Sequence, residues 1–83
     1  MAKVEWTDDA IEDLKRLDRP IRKRILNKIS WFLQHFENIT PESLSADFSG
    51  SYKLRIGDWR VIYTIESELI VIQAIGHRKE IYK

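Results

Sequence analysis

Lys53, Arg55 and Arg60 are the residues of this chain best placed to do chemistry. They stand in the run Tyr-Lys-Leu-Arg-Ile-Gly-Asp-Trp-Arg, residues 52–60, which reads as two strands around a Gly57-Asp58 turn. A two-residue loop pairs Ile56 with Trp59 and Arg55 with Arg60. Side chains alternate along a strand, so Lys53 shares the face of the two arginines. Leu54, Ile56, Trp59, Val61, Tyr63 and Ile65 then share the opposite face. Like charges set directly opposite each other repel, and a small protein has little stability to spare. An anion that meets this face accounts for it, and a phosphate backbone is the obvious candidate. Arginine stays protonated, so it can only donate hydrogen bonds and stabilise negative charge.

A second group, Gly76-His77-Arg78-Lys79-Glu80-Ile81-Tyr82, follows a strand-like run. It leaves the sheet next to the hairpin, bringing His77 and Arg78 near the Gly57-Asp58 turn or near Arg60. The face on which His77 lands depends on the loop after Ile65, because two- and three-residue loops give opposite parities. Taken singly, His77 reads as a surface or half-buried histidine and Tyr82 as a packing aromatic. A third group lies on a basic helix that includes Arg19, Arg22 and Lys23. Residues opposite an apolar stripe are usually just solvated. Between Lys15 and Lys28, however, only Asp18 is negative. This set divides evenly between a solvent face and a secondary RNA-binding surface.

The elements that position these groups follow from periodicity. Ala2 to Trp6 alternates and reads as a strand. Thr7 is a helix N-cap, with Asp8 and Asp9 in the first turn, where carboxylates suit the helix dipole. Ala10, Ile11, Leu14 and Leu17 recur at helical spacing. Asp18-Arg19-Pro20 ends that helix and opens another, with Asp18 placed to cap it. Ile21, Ile25, Ile29, Phe32, Leu33 and Phe36 form its apolar stripe, so it runs to about His35 or Phe36. Glu37 to Ser51 reads as a connecting loop, with Leu44 and Phe48 pinning it to the core. Three strands follow, at 52–56, 59–65 and 69–76. The order is β-α-α-β-β-β: an α+β fold with a helical hairpin packed on a small antiparallel sheet.

The chain of 83 residues is expected to form one domain, 1–83. It has no cysteine, which excludes a disulfide scaffold and any thiolate nucleophile or metal site, and fits a reducing cytoplasm. Its two histidines are far apart, and no Asp-rich cluster has ligand spacing, so no metal and no cofactor is expected. There is no phosphate-binding glycine loop and no Gly-x-Ser-x-Gly elbow. No signal peptide is visible and no apolar run is long enough to span a bilayer, so no membrane partner is expected. Net charge is only +1, so a local patch rather than global charge must steer any polyanion.

Two of these runs, Tyr-Lys-Leu-Arg-Ile-Gly-Asp-Trp-Arg-Val-Ile-Tyr and the later Ile-Gly-His-Arg-Lys-Glu-Ile-Tyr, resemble the RelE/ParE toxin superfamily of type II toxin–antitoxin modules. The opening Val-Glu-Trp-Thr-Asp-Asp-Ala and the element order extend the resemblance over essentially the whole chain. The RelE branch cleaves messenger RNA in the ribosomal A site, and the ParE branch inhibits DNA gyrase. By resemblance to the RelE branch, the catalytic set is Lys53, Arg55, Arg60, Arg78 and Tyr82, with His77 as a further contributor. The implied partners are a cognate antitoxin and either the ribosome with its message or DNA gyrase. A relative that only binds its antitoxin is the third possibility.

The reaction that such a set supports needs no metal. The RNA 2′-hydroxyl attacks the adjacent phosphate in line, which requires a base, cations for the phosphorane and an acid for the leaving 5′-oxygen. Arg55, Arg60 and Arg78 serve as stabilisers, with Arg78 on the leaving-group side. Tyrosine and lysine titrate at about 10 and act as bases only once depressed, a direction in which nearby cations push. Histidine titrates near neutrality. Tyr82, Lys53 and His77 are therefore all candidate bases. Tyr82 or Trp59 can also stack on a base of the message.

Overall fold

A computed structural model describes residues 2–44 and 50–81. Strand β1 (Lys3–Trp6) leads into helix α1 (Asp8–Lys15) and then helix α2 (Arg19–Gln34). A single 3₁₀ turn spans Phe36–Asn38. Strands β2 (Glu42–Ser43), β3 (Ser51–Ile56), β4 (Trp59–Glu66) and β5 (Leu69–His77) complete the order. Two expectations, Phe48 as a core anchor and Tyr82 as a site residue, fall outside the described residues. Among those described, no helix is long and apolar enough to cross a membrane.

The α+β order holds, with two differences in the sheet. It has five strands in the order β1-β5-β4-β3-β2, and it is mixed rather than purely antiparallel. Strand β1 lies parallel to β5, with Val4 opposite Ile70 and Trp6 opposite Ile72. The chain between these two strands runs through both helices and then β2, β3 and β4, so the parallel pair joins elements far apart in sequence. The second difference is β2, two residues from the expected loop that pair antiparallel with Tyr52 and Lys53. Two residues are too few to show a period, so only pairing reveals them.

Local chemistry explains the helices. Thr7 Oγ1 accepts the Ala10 N–H at 3.1 Å, satisfying one orphan donor of α1. Asp18 takes the N-cap position of α2 but makes no side-chain cap bond, and Pro20 supplies the preset first turn. The stripe of α2 behaves as its spacing requires. Ile25, Ile29, Phe32 and Leu33 are buried against Ile56, Val61, Tyr63, Ile70, Ile72 and Ile75, with Ala10 from α1 closing the cluster. Phe32 meets the Tyr63 ring edge-on at 5.1 Å. The hydroxyl of Tyr63 is pushed up to about 12, chiefly by burial.

The helices cover one face of the sheet only. Strand β4 is central and offers a residue to each face in turn, so its register decides what the open face carries. Between β4 and β5 the register slips by one at Ile62/Tyr63, leaving Gln73 as the extra residue. The bulge is fully used: Thr7 Oγ1 donates to the Gln73 carbonyl and Gln73 Nε2 donates to Thr64 Oγ1. Just beyond it, the Ile75 N–H donates to Asp13 Oδ2 at 3.0 Å.

Candidate functional site

The hairpin of β3 and β4 has the expected register, with Ile56 opposite Trp59 and Arg55 opposite Arg60. Gly57 sits at φ +61° while Asp58 does not enter positive φ, the pattern of a type II′ turn. Gly57 also lies under the Arg24 guanidinium, where a Cβ would come within 2.7 Å of Nη2. A residue with a side chain would meet both a strained φ and that guanidinium.

The repulsion expected between Arg55 and Arg60 is relieved by two different devices. Arg55 forks onto Glu42 of β2, with Nε 2.9 Å from Oε1 and Nη2 2.6 Å from Oε2. Lys53 Nζ lies 3.6 Å from the same carboxylate. Hydrogen bonding to Arg55 and the charges of both cations hold the Glu42 carboxyl below the usual carboxylate range. Arg60 turns inward instead. It is only 8% exposed, and its Nη1 donates to the Gly57 and Trp59 carbonyls at 2.7 and 2.8 Å. The sequence places Arg60 simply on an open face. In the structure it also braces the turn, because only a long cationic donor satisfies both carbonyls from that position.

The segment after β5 brings in the remaining cations. The Arg78 N–H donates to the Asp58 carbonyl at 2.8 Å, and Arg78 Nε lies 3.5 Å from Asp58 Oδ1. Lys53, Arg55, Arg60, Arg78 and Lys79 together line an open groove of about 400 Å³. Gly76, opposite Arg60, is part of this arrangement. Glu80 and Ile81 both donate backbone N–H groups to the His77 carbonyl, closing a tight turn. That turn lays Ile81 over Gly76, where a Cβ would meet Ile81 Cδ1 at 2.8 Å. Ile81 thereby lies on the cationic face beside Arg60.

Other candidates lie elsewhere. The loop after β4 has two residues, Ser67-Glu68, and the bulge at Gln73 then reverses the parity. His77 therefore pairs with Trp59 and meets its ring edge-on at 5.5 Å, on the helix side of the sheet. Its Nδ1 accepts the Lys79 N–H at 3.2 Å. Trp59 packs against the core cluster on that same side, away from the cationic groove. Arg19, Arg22 and Lys23 lie in the first turns of α2, in the helical layer. The basic residues of α2 that border the hairpin are Arg24 and Lys28. With Asn27, Trp31, Arg55, Ile56 and Gly57 they line a second groove of about 540 Å³. Sequence reasoning missed Glu42 on the cationic face. The one signal was a carboxylate in the segment before the hairpin, meaningful only once β2 is paired with β3.

The chain matches the family model described as the ParE toxin of type II toxin–antitoxin systems, parDE, over residues 4–82. It belongs to the ParE toxin family. Solved toxin structures share its fold. The toxin resembles the RelBE2 toxin–antitoxin complex of Mycobacterium tuberculosis, with TM-score 0.79 and 22% identity, over 93% of this chain and 98% of the other. It resembles the isolated RelE toxin of E. coli, with TM-score 0.75 and 16% identity, over 99% and 92%. It also resembles the chromosomal ParDE system of P. aeruginosa, with TM-score 0.73 and 20% identity, over 93% and 96%. No curated protein sequence matches the toxin significantly.

Proposed function

We propose that this toxin cuts messenger RNA on the ribosome without a metal, and that a cognate antitoxin holds it inactive. One observation carries the reading: the described residues lining the groove on the open face of the sheet are five cationic side chains. A protein that only grips another protein has no need of such a concentration. The groove suits a strand of phosphates, where electrostatic attraction is strong and independent of sequence.

In the proposed reaction the message's 2′-oxygen bonds to phosphorus as the bond to the 5′-oxygen breaks. The products are a 2′,3′-cyclic phosphate and a free 5′-hydroxyl. Arg55 and Arg60 stabilise the phosphorane, and Arg78 steadies the leaving 5′-oxygen until it takes a proton from water. Lys53 lines the groove beside Arg55 and is assigned to the phosphate. The base that takes the 2′-proton is then Tyr82, next in the chain to Ile81. His77 and Trp59 have no part in this scheme, since both face the helices.

The test is a cell-free translation reaction dosed with the purified protein, with message ends mapped by primer extension. Discrete cuts within translated codons are expected, and intact messages at inhibitory doses would contradict the reading. The ParE family match favours a second reading, inhibition of DNA gyrase. That reading predicts blocked supercoiling with untouched RNA. Both readings keep the antitoxin, since the solved relatives include toxin–antitoxin complexes.

A further inference from the structure

Glu42 is the acid that the cationic face holds for itself. Its two oxygens meet the Nε–Nη2 edge of Arg55, and Lys53 Nζ stands 3.6 Å from Oε2. That edge of a guanidinium is the one that grips a planar carboxylate or two oxygens of a phosphate. Arg55 also lines the groove formed with Arg60, Arg78 and Lys79, so Glu42 sits at one end of the proposed RNA track.

Resting on the RNA-cutting reading, we propose that Glu42 is a resident stand-in for one phosphodiester of the message, and that the RNA backbone displaces it on binding. The Lys53–Arg55 fork is then a specific phosphate seat rather than a diffuse patch. The hold on Glu42 is built to be broken. Its side chain is 44% exposed, and an exposed pair of this kind is weak. Its strand is two residues long and, among the described residues, pairs only with β3. An RNA strand brings several phosphates at once to the neighbouring cations and releases their counterions, so it outcompetes a single carboxylate. Until then Glu42 keeps the Nε–Nη2 edge of Arg55 occupied. It also sets a threshold that weakly held anions do not pass.

The test uses the full-length protein and a ten-nucleotide single-stranded DNA, which presents phosphates but has no 2′-hydroxyl and is not cut. Binding is read by fluorescence anisotropy at low salt. Glu42→Gln should bind about three- to tenfold tighter than wild type, through loss of one competing and repelling charge. Glu42→Ala should do the same, which covers the case in which the glutamine amide keeps the arginine fork occupied. Placing Arg55→Ala in the Glu42→Gln background should erase the gain. Near-UV circular dichroism checks that each variant is folded. Equal or weaker binding by both Glu42 variants overturns the proposal, as does a gain that survives Arg55→Ala or no binding by any form. The assay contains no ribosome and so separates the two readings. Tighter DNA binding with uncut messages leaves the seat standing and defeats the cutting. Cut messages with no gain in Glu42→Gln do the reverse.

Discussion

On the helix side of the sheet, Ile56, Val61, Tyr63, Ile72 and Ile75 are buried together with Phe32 and Ile29 of α2. On the other side, in the same strands, stand Lys53, Arg55 and Arg60, with Arg78 and Lys79 beside them. Both faces come from one alternation, which sets Lys53, Arg55 and Arg60 beside Ile62 and Thr64 on the side away from the helices. The core face is held by non-directional burial. The cationic face is held by a few directional contacts to Glu42, Asp58 and two turn carbonyls. The comparison teaches a division of labour: stability resides on one face, and the other can be altered at small cost to the fold.

Phe32→Ala should sharpen that contrast most. It removes a buried ring from the core and should cost about 3–5 kcal/mol, read as a fall in the urea midpoint. Arg55→Ala and Arg78→Ala are the counterparts on the open face. Each should slow cutting by about 10²–10³ while the midpoint hardly moves. A large loss of stability in either would break the comparison.

Tyr63 and Arg60 test one buried side chain from each face. The Tyr63 hydroxyl is raised to about 12 from an ordinary 10, so the folded state holds its proton more tightly than the unfolded chain. Its contribution is fully present below pH 10 and is lost as pH rises toward 12. Absorbance titration near 295 nm should show one tyrosine lagging the others, and Tyr63→Phe should abolish the lag. Arg60→Ala should lower stability by about 1–3 kcal/mol, because two turn carbonyls lose their donor. It should stop cutting as well, which makes it a poor test of catalysis by itself. Unaltered stability in that variant would return Arg60 to the role of a simple surface cation.

The smallest effect belongs to Glu42. Its carboxyl is held below the usual range, so its pairing stabilises above the ordinary carboxylate pKa and is lost as pH falls through the lowered one. An exposed pair contributes a few tenths to about 1 kcal/mol. Wild type should exceed Glu42→Gln by that much at neutral pH, and the two should converge in acid. A gap that persists at low pH would remove Glu42 from ion pairing.

Much of this was legible in the alternation of residues 52–65, which gave the hairpin register and both faces, and in the α2 stripe from Ile21 to Phe36. The parallel partner of β1 was not, because a short edge strand carries no mark of the neighbour it pairs with. His77 was undetermined for a similar reason: its face depends on a loop length and a one-residue bulge at Gln73, and each reverses the parity. Trp59 carried two readings, core and stacking platform, and the structure packs it on the core. Arg60 was readable as a cation but not as a turn brace, since that role needs the positions of two carbonyls. Glu42 was hidden because its meaning lies in a cross-strand pair eleven residues away in sequence, opposite Lys53.

The central claim is that the cationic face cuts RNA through the message's own 2′-hydroxyl. Purified ribosomes can be loaded with two messages that differ only in one A-site nucleotide, ribose in one and 2′-deoxyribose in the other. With the full-length protein added, primer extension should show a cut at that codon in the ribose message and none in the deoxy message. An intact ribose message, or equal cutting of both, would contradict the account.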